Sequence, residues 1–328
     1  MEKISFELVG KVLEEDVVSD LDVLLLTKGT ILTKANILLL KKQYSKKVKV
    51  SEDLSFKNLY LKNIKHIEHL FSFLEKTKSI DMEEWFHHEQ IVRFVQKDAS
   101  FIEQMYEIKA QSSLYVHSVN VGLIAFFLGK LLRYSYREKL HIWKMGVLHD
   151  IGKLKLDSEL LFKQEEELTE EELHEYKQHP NLGLNILSEV KGVNAEIVSA
   201  TKFHHEQIDG SGYPNKVKVN CLPVTVQIVS VANRIDKIIS ANRNPFHLVN
   251  LLIEETRENK LNPAITIPFV RHTLRKYVGK KIVLNDETKA EIVFIFDHEP
   301  TQPLIYLNER KMFIDLRENH KLKIKDFA

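Results

Sequence analysis

Five short stretches of the sequence carry residues able to do chemistry together. They are His117, His149-Asp150 with Lys153, His179-Pro180, His204-His205-Glu206, and the loop Asp209-Gly210-Ser211-Gly212-Tyr213-Pro214. Histidine is over-supplied, with 15 in the chain and seven of them between His117 and His205. Imidazole is the commonest transition-metal ligand and a frequent acid or base. Taken alone, His117 is most simply a core histidine bonded to a backbone carbonyl. His149-Asp150 alone is most simply a solvated pair at a helix end, because adjacent helical residues point roughly 100° apart. Lys153 stands one turn past His149 and would balance a carboxylate or meet a phosphate. His87-His88-Glu89 shows that histidine pairs also arise by chance, since no His-Asp pair or Gly-rich loop lies near it. Together, His117, His149, Asp150, His179, His204 and His205 exceed the needs of one tetrahedral zinc. They suit two octahedral transition metals sharing the carboxylate, iron first and manganese as the alternative. A metal pair about 3.5–4 Å apart is a standard device for phosphoester hydrolysis.

Helices must position most of these residues. Leu114, His117, Val121, Ile124 and Leu128 recur at helical spacing and share one face. A second helix is expected to end near His149-Asp150, with Gly152 as its stop signal. Thr169 and Glu172 form a capping-box pattern that opens a helix toward His179, and Pro180 disfavours helical geometry at His179 itself. Val224 to Ser240 reads as a further buried helix. Upstream, Val23–Leu26 and Ile31-Leu32 flank a Lys28-Gly29 turn, a helix is expected over Lys34–Gln43, and a strand over Lys47–Val50. Ser51 to Lys109 is helical in pattern. Downstream, Lys281–Leu284, Glu291–Phe296, Leu304–Leu307 and Met312–Leu316 read as strands.

The expected fold is therefore mainly α. A mixed α/β N-terminal domain with connecting helices (1–109) precedes an all-helical metal-dependent domain (110–258) and a β-rich C-terminal extension (259–328). With 328 residues, 44% hydrophobic and 28% charged, the chain can bury a sizeable core and is not disordered in bulk. The formal net charge of +1 gives no global attraction to DNA or an anionic membrane. Cys221 is the single cysteine, which excludes an intramolecular disulfide framework and a Cys-rich zinc site. The N-terminus lacks the pattern of a secretory signal, and the longest apolar run, Val121–Gly129, falls short of the roughly 18 residues that span a bilayer. A cytoplasmic protein without membrane insertion is expected.

In their order and spacing, these motifs resemble the HD-GYP domain, the branch of the HD phosphohydrolases that hydrolyses cyclic di-GMP. The resemblance covers roughly Ser112 to Pro245. It implies an HD-type helical bundle with two metals at its centre. By residue, it implies His117, His149 and Asp150 on the first metal and His179, His204 and His205 on the second, with Asp150 bridging. Lys153 would act with Asp150 in catalysis and contact a substrate phosphate, while Gly212 and Tyr213 would shape the substrate-side loop. The implied substrate is a cyclic dinucleotide, and the product is pGpG or, on further cleavage, GMP. The flanking regions resemble extensions found beside such domains, and the N-terminal one would serve a homodimer or a signalling partner.

The sequence departs from the family at three places. Where members carry an aspartate on the first metal, in a segment like Ala-Asp-x-x-Asp-Ala, this chain has Val231-Ala232-Asn233-Arg234-Ile235-Asp236. Asn233 can coordinate through its amide oxygen but brings no charge, and Asp236 keeps a structural part. Ser113 stands where some members place a glutamate for a third metal. Arg243, in Asn242-Arg243-Asn244-Pro245-Phe246, is the nearest counterpart of a substrate-contacting Arg-Pro-Tyr segment. Two functions remain open at this stage: an active di-metal phosphodiesterase, or a degenerate domain that binds metal and nucleotide as a sensor or interaction module. A third reading is an HD-type phosphohydrolase of another nucleotide.

Overall fold

The computed structural model describes residues 2–327 apart from 20, 53, 87–89, 99, 109, 162, 164, 219, 220, 297, 298 and 320. The His87-His88-Glu89 run lies outside the described residues. The chain divides into two compact units, Met1–Lys62 and Asn63–Ala328.

The first unit is small and mixed. Strands β1 (Lys11–Leu13), β2 (Val17–Val18) and β3 (Leu24–Leu26) precede helix α1 (Lys34–Gln43) and strand β4 (Val50–Glu52). β1 pairs with β4 and β2 with β3, both antiparallel. α1 begins where the sequence signals it, because Thr33 and Asn36 close a reciprocal capping box. Leu8, Leu13, Val17, Leu32, Ile37, Leu40 and Val48 form the core of this unit. The strand expected at Lys47–Val50 sits slightly later, at β4.

Helix α2 (Phe56–Leu74) leads into α3 (Met82–Trp85), α4 (Gln90–Lys97) and α5 (Phe101–Glu107). The helical domain then follows: α6 (Leu114–Leu131), α7 (Tyr136–Leu148), α8 (Glu170–Tyr176), α9 (His179–Ser188), α10 (Ala195–Phe203), α11 (Val224–Ala241), α12 (Pro245–Arg257) and α13 (Pro263–Arg275). α6 is the central helix. It packs on α4, α7, α11 and α13, and every residue from Ser118 to Gly129 is buried. A helix apolar all round belongs in the middle of a bundle. At 18 residues and mean hydropathy 1.5, α6 is long and apolar enough to cross a membrane, but 67% of it is buried inside the bundle. The Val121–Gly129 run is thus the middle of a longer core helix.

Two local details differ from the sequence pattern. Pro180 does not exclude His179 from a helix. α8 ends at Lys177 and α9 starts afresh at His179, with Pro180 in its first turn, where the missing N–H costs no hydrogen bond. Helix α13 lies within the region expected to be β-rich, and its buried Ile265, Phe269, Val270 and Leu274 pack it against α6, α11 and α12. Beyond it, β5 (Lys281–Leu284), β6 (Lys289–Phe294), β7 (Leu304–Leu307), β8 (Met312–Asp315) and β9 (Ile324–Phe327) form an antiparallel sheet of order β8-β7-β6-β5-β9.

The segment after α7 is held unusually close to α9. It makes a 3-10 turn, Ile151–Lys155. A Cβ on Gly152 would collide with the carbonyl oxygen of His179 and the backbone of Gly183. Only glycine lets the Asp150 turn and the His179 turn approach this closely. Gly152→Ala should therefore destabilise the fold by about 1–3 kcal/mol, as over-packing does. Thermal unfolding would show this as a lowered midpoint, and an unchanged midpoint would contradict the close-approach account.

Candidate metal centre

Each predicted donor reaches the site from the end of an element or from its buried face. His117 lies on the first turn of α6, and His149 is the C-cap of α7. Asp150 opens the 3-10 turn that carries Lys153. His179 is the first residue of α9, and His204-His205 follow α10. Asn233 sits mid-way along α11. His149, Asp150 and His179 have no exposure, and His204 and Asn233 have 2% and 3%.

Asp150 is the hub. Its Oδ2 lies 3.2 Å from His117 Nε2 and 3.4 Å from His149 Nε2. Its Oδ1 lies 3.2 Å from His179 Nε2 and 3.3 Å from His204 Nε2. The two oxygens of one carboxylate thus face two separate pairs of imidazoles. Two donor groups result, His117-His149-Asp150 and Asp150-His179-His204-His205, each with its donor atoms within 4.8 Å of one another.

The protonation of the rings follows from their partners. Nδ1 of His149 bonds the carbonyl of Gly146 at 2.7 Å, that of His179 the carbonyl of Tyr176 at 2.7 Å, and that of His204 the carbonyl of Thr201 at 2.9 Å. A carbonyl only accepts, so each Nδ1 carries the proton and each Nε2 keeps a lone pair directed at Asp150. Nδ1 of His117 is 2.6 Å from Asp236 Oδ2, which turns its Nε2 toward Asp150. Burial drives the pKa of His179 and of His204 down to about 4, so both rings are neutral at physiological pH. His149 and His205 are shifted down by the same cause. Burial also works against charge on His117, but the neighbouring carboxylates of Asp150 and Asp236 outweigh it and raise its pKa. For Asp150, burial opposes ionisation, yet the Lys153 ammonium beside it holds the carboxyl well below its usual range.

The donors fit a divalent metal. His117 Nε2, His149 Nε2, His205 Nε2, Asn233 Oδ1 and both oxygens of Asp150 are buried with no hydrogen bond of acceptable geometry. Lys153 Nζ does lie 2.6 Å from Asp150 Oδ2, an ion contact that leaves the rest of the carboxylate's capacity unused. The imidazole nitrogens gathered around Asp150 would be costly to bury without a cation among them. The imidazoles and the one carboxylate form a nitrogen- and oxygen-rich set of the kind that holds iron, manganese or zinc.

Other groups hold this set in place. Asp236, one turn beyond Asn233 on α11, anchors His117 as described. Glu206 Oε1 accepts from the Asn215 N–H at 2.7 Å and Oε2 from the Val217 N–H at 3.1 Å, which ties the Gly-rich loop back to the histidine pair. Neither its spacing nor its type in the sequence announces that role. A Cβ on Gly212 would strike the backbone of His205, Glu206 and Gln207. Tyr213 donates its N–H to the His205 carbonyl at 3.2 Å, and its ring stacks on His205 at 4.3 Å and 16°. Gly212 and Tyr213 thus touch a candidate ligand directly. Lys153 lies over the Tyr176 ring at 5.1 Å, and Asp150 keeps its ammonium pKa above the ordinary lysine value despite burial. Glu165 and Lys237 form an ion pair that the sequence did not signal. Ser113 is the N-cap of α6, its hydroxyl accepting from the Val116 N–H at 3.2 Å. Arg243 is exposed, two residues past the end of α11 at Ala241.

Comparison with known proteins agrees with this geometry. Residues 107–246 match the HD domain family. A cyclic di-GMP phosphodiesterase of Thermotoga maritima is 32% identical over 207 residues, which are 62% of this chain and 52% of that protein. The cyclic di-GMP phosphodiesterase response regulator RpfG of Xanthomonas campestris is 34% identical over 122 residues, 37% of this chain and 31% of that protein. The chain spans about half or less of the length of these relatives. Among solved structures, Bd1817, an HDG"Y"P protein from Bdellovibrio bacteriovorus, superposes with a TM-score of 0.56 at 16% identity, covering 82% of this chain and 94% of that one. The chain carries an HD domain built as an all-helical bundle. Both His149-Asp150 and Gly212-Tyr213-Pro214 lie inside the stretch that matches the HD domain.

Glu206→Ala should free the loop from the histidine pair. Two charge-assisted bonds to the backbone, each worth about 1.5–3 kcal/mol, would be lost. Amide hydrogen exchange at Asn215 and Val217 should quicken by about tenfold or more, and unchanged protection would contradict the anchoring role.

Proposed function

We propose that the chain is a metal-dependent phosphodiesterase that opens cyclic di-GMP to pGpG, or onward to GMP, at a centre holding two divalent metals. Asp150 carries this proposal: each of its oxygens faces its own pair of imidazoles, 3.2–3.4 Å away. His117, His149, Asp150 and Asn233 would hold the first metal, and His179, His204, His205 and Asp150 the second. Iron is the first expectation and manganese the alternative. The names of the relatives support the substrate class.

When bound, the metals supply Lewis acidity that activates water and offsets charge on the phosphodiester. The residues of the chain do the rest. Asp150 spaces the two donor groups and stays ionised beside Lys153. Lys153, kept charged, meets the negative charge that grows on the phosphate. The backbone bonds at Nδ1 of His149, His179 and His204 fix the rings so that Nε2 faces the site. Gly212 and Tyr213 set the position of His205 and line the substrate side of the loop. Arg243 is proposed as an outer phosphate contact. The N-terminal unit is proposed as the contact for a second copy or a signalling partner in the cytoplasm, a role that the exposed Leu21, Val23 and Leu24 support.

One observation favours a second reading. Asn233 offers a buried, unpartnered amide oxygen where family members carry a charged ligand. A neutral ligand weakens the first metal, and a weakened pair suits a sensor that binds metal and nucleotide without turnover. Incubation of wild type with cyclic di-GMP and Mn²⁺ or Fe²⁺, resolved by HPLC, decides between the two. Turnover to pGpG or GMP is expected, whereas retained nucleotide binding without turnover favours the sensor. Asn233→Asp should raise metal affinity by about tenfold, the scale on which single groups at metal sites act, and should raise turnover at limiting metal. No gain in either would contradict the charge argument. Asp150→Ala should lose both metals and all activity, and two equivalents retained by ICP-MS would overturn the bridging role.

A further inference from the structure

Asp236 is the hinge between the candidate metal centre and a residue just outside the matched HD domain. Its Oδ2 takes Nδ1 of His117 at 2.6 Å. Its Oδ1 accepts from the Asn120 side-chain amide at 2.8 Å and from the Tyr106 hydroxyl at 2.5 Å. Asn120 shares α6 with His117, one turn on. Tyr106 comes from α5, which ends one residue later, and it is 130 residues from Asp236 in sequence. α5 is firmly seated: Phe101 and Met105 are buried, and Phe101 meets Phe127 of α6 edge-on with centroids 5.3 Å apart.

We propose that Tyr106 is a positioning residue for the first metal site, acting through Asp236 on His117. The carboxylate has two oxygens and three partners, one of which is a candidate ligand. With only Asn120 on Oδ1, Asp236 could rotate about its side-chain bonds. With Tyr106 opposite, the carboxylate plane is held from two directions, and Oδ2 stays where Nδ1 of His117 needs it. The imidazole is then locked in the tautomer and orientation that put Nε2 beside Asp150 Oδ2, 3.2 Å away. In the second donor group, Nδ1 of His179 and of His204 is held instead by the carbonyls of Tyr176 and Thr201, both inside the matched domain. Tyr106 therefore bears on one metal and not the other. This matters most in a chain whose first site has Asn233 as its neutral ligand. It also means that the seating of α5, ahead of the matched domain, is felt at the first metal.

The inference rests on the metal-centre reading, so the experiment reads metal binding rather than turnover. Purified full-length wild type and Tyr106→Phe are loaded with Mn²⁺ and titrated with a competing chelator, with bound metal counted by ICP-MS. Their melting temperatures are compared in excess EDTA. Wild type should hold two equivalents. Tyr106→Phe should melt within a few degrees of wild type in EDTA yet release one equivalent at about tenfold lower chelator, the low end of the 10–100-fold range for outer-shell partners of metal ligands. The second equivalent should leave as in wild type. Asn120→Ala, which removes the other donor to the same oxygen without touching α5, should weaken the same equivalent. Two equivalents leaving Tyr106→Phe as they leave wild type would overturn the role of Tyr106. Equal weakening of both would overturn its selectivity and mark a general structural effect. A wild type that binds no metal would overturn the metal-centre reading, and the proposal with it.

Discussion

A single ionised carboxylate, fully buried, faces four imidazole Nε2 atoms and one ammonium, and much of the helical domain is arranged to make that arrangement tolerable. Asp150 has no exposure. An isolated buried charge is strongly unfavourable unless paired and hydrogen-bonded. Lys153, three residues on in the same 3-10 turn, supplies one pairing at 2.6 Å. Three of the rings offer lone pairs rather than protons, because Nδ1 of His149, His179 and His204 is already committed as donor to a carbonyl. Anion and lone pairs together make a site whose electrostatics call for cations. Gly152 follows from the same constraint, since the Asp150 turn must lie against the backbone of the His179 turn.

Much of this could be read from the sequence because its signals are local. The capping box at Thr169-Glu172 starts α8 as its spacing predicts, and α1 spans the expected Lys34–Gln43. The Leu114-to-Leu128 stripe is a helix, and the runs Lys281–Leu284 and Leu304–Leu307 are strands with those bounds. His117, His149, Asp150, His179 and His204 stand out by residue type and order, and the structure brings them around one carboxylate.

What escaped the sequence is held by contacts between distant residues. Tyr106 meets Asp236 across 130 positions, and nothing near either residue announces the pair. β9 gains its identity from pairing with β5, about forty residues earlier, in a run too short and charged to stand out. Glu206 looked like the tail of a histidine motif but is the anchor of the loop that follows. α13 is a different case. It is a helix, capped by Asn262, in a stretch whose sequence reads as part of the β-rich extension. The near-neutral net charge also gains meaning, because the attraction for an anionic ligand is local, in Lys153 and the donor cluster, and needs no basic surface.

The central proposal is that Asp150 would lie between two metals, the first of which Asn233 would complete. It is tested most directly by an anomalous-scattering map of crystals grown with Mn²⁺ or Fe²⁺. Two peaks on either side of Asp150 are predicted, the first among His117, His149 and Asn233 and the second among His179, His204 and His205. A single peak, or two peaks of which neither touches Asp150, would contradict the account.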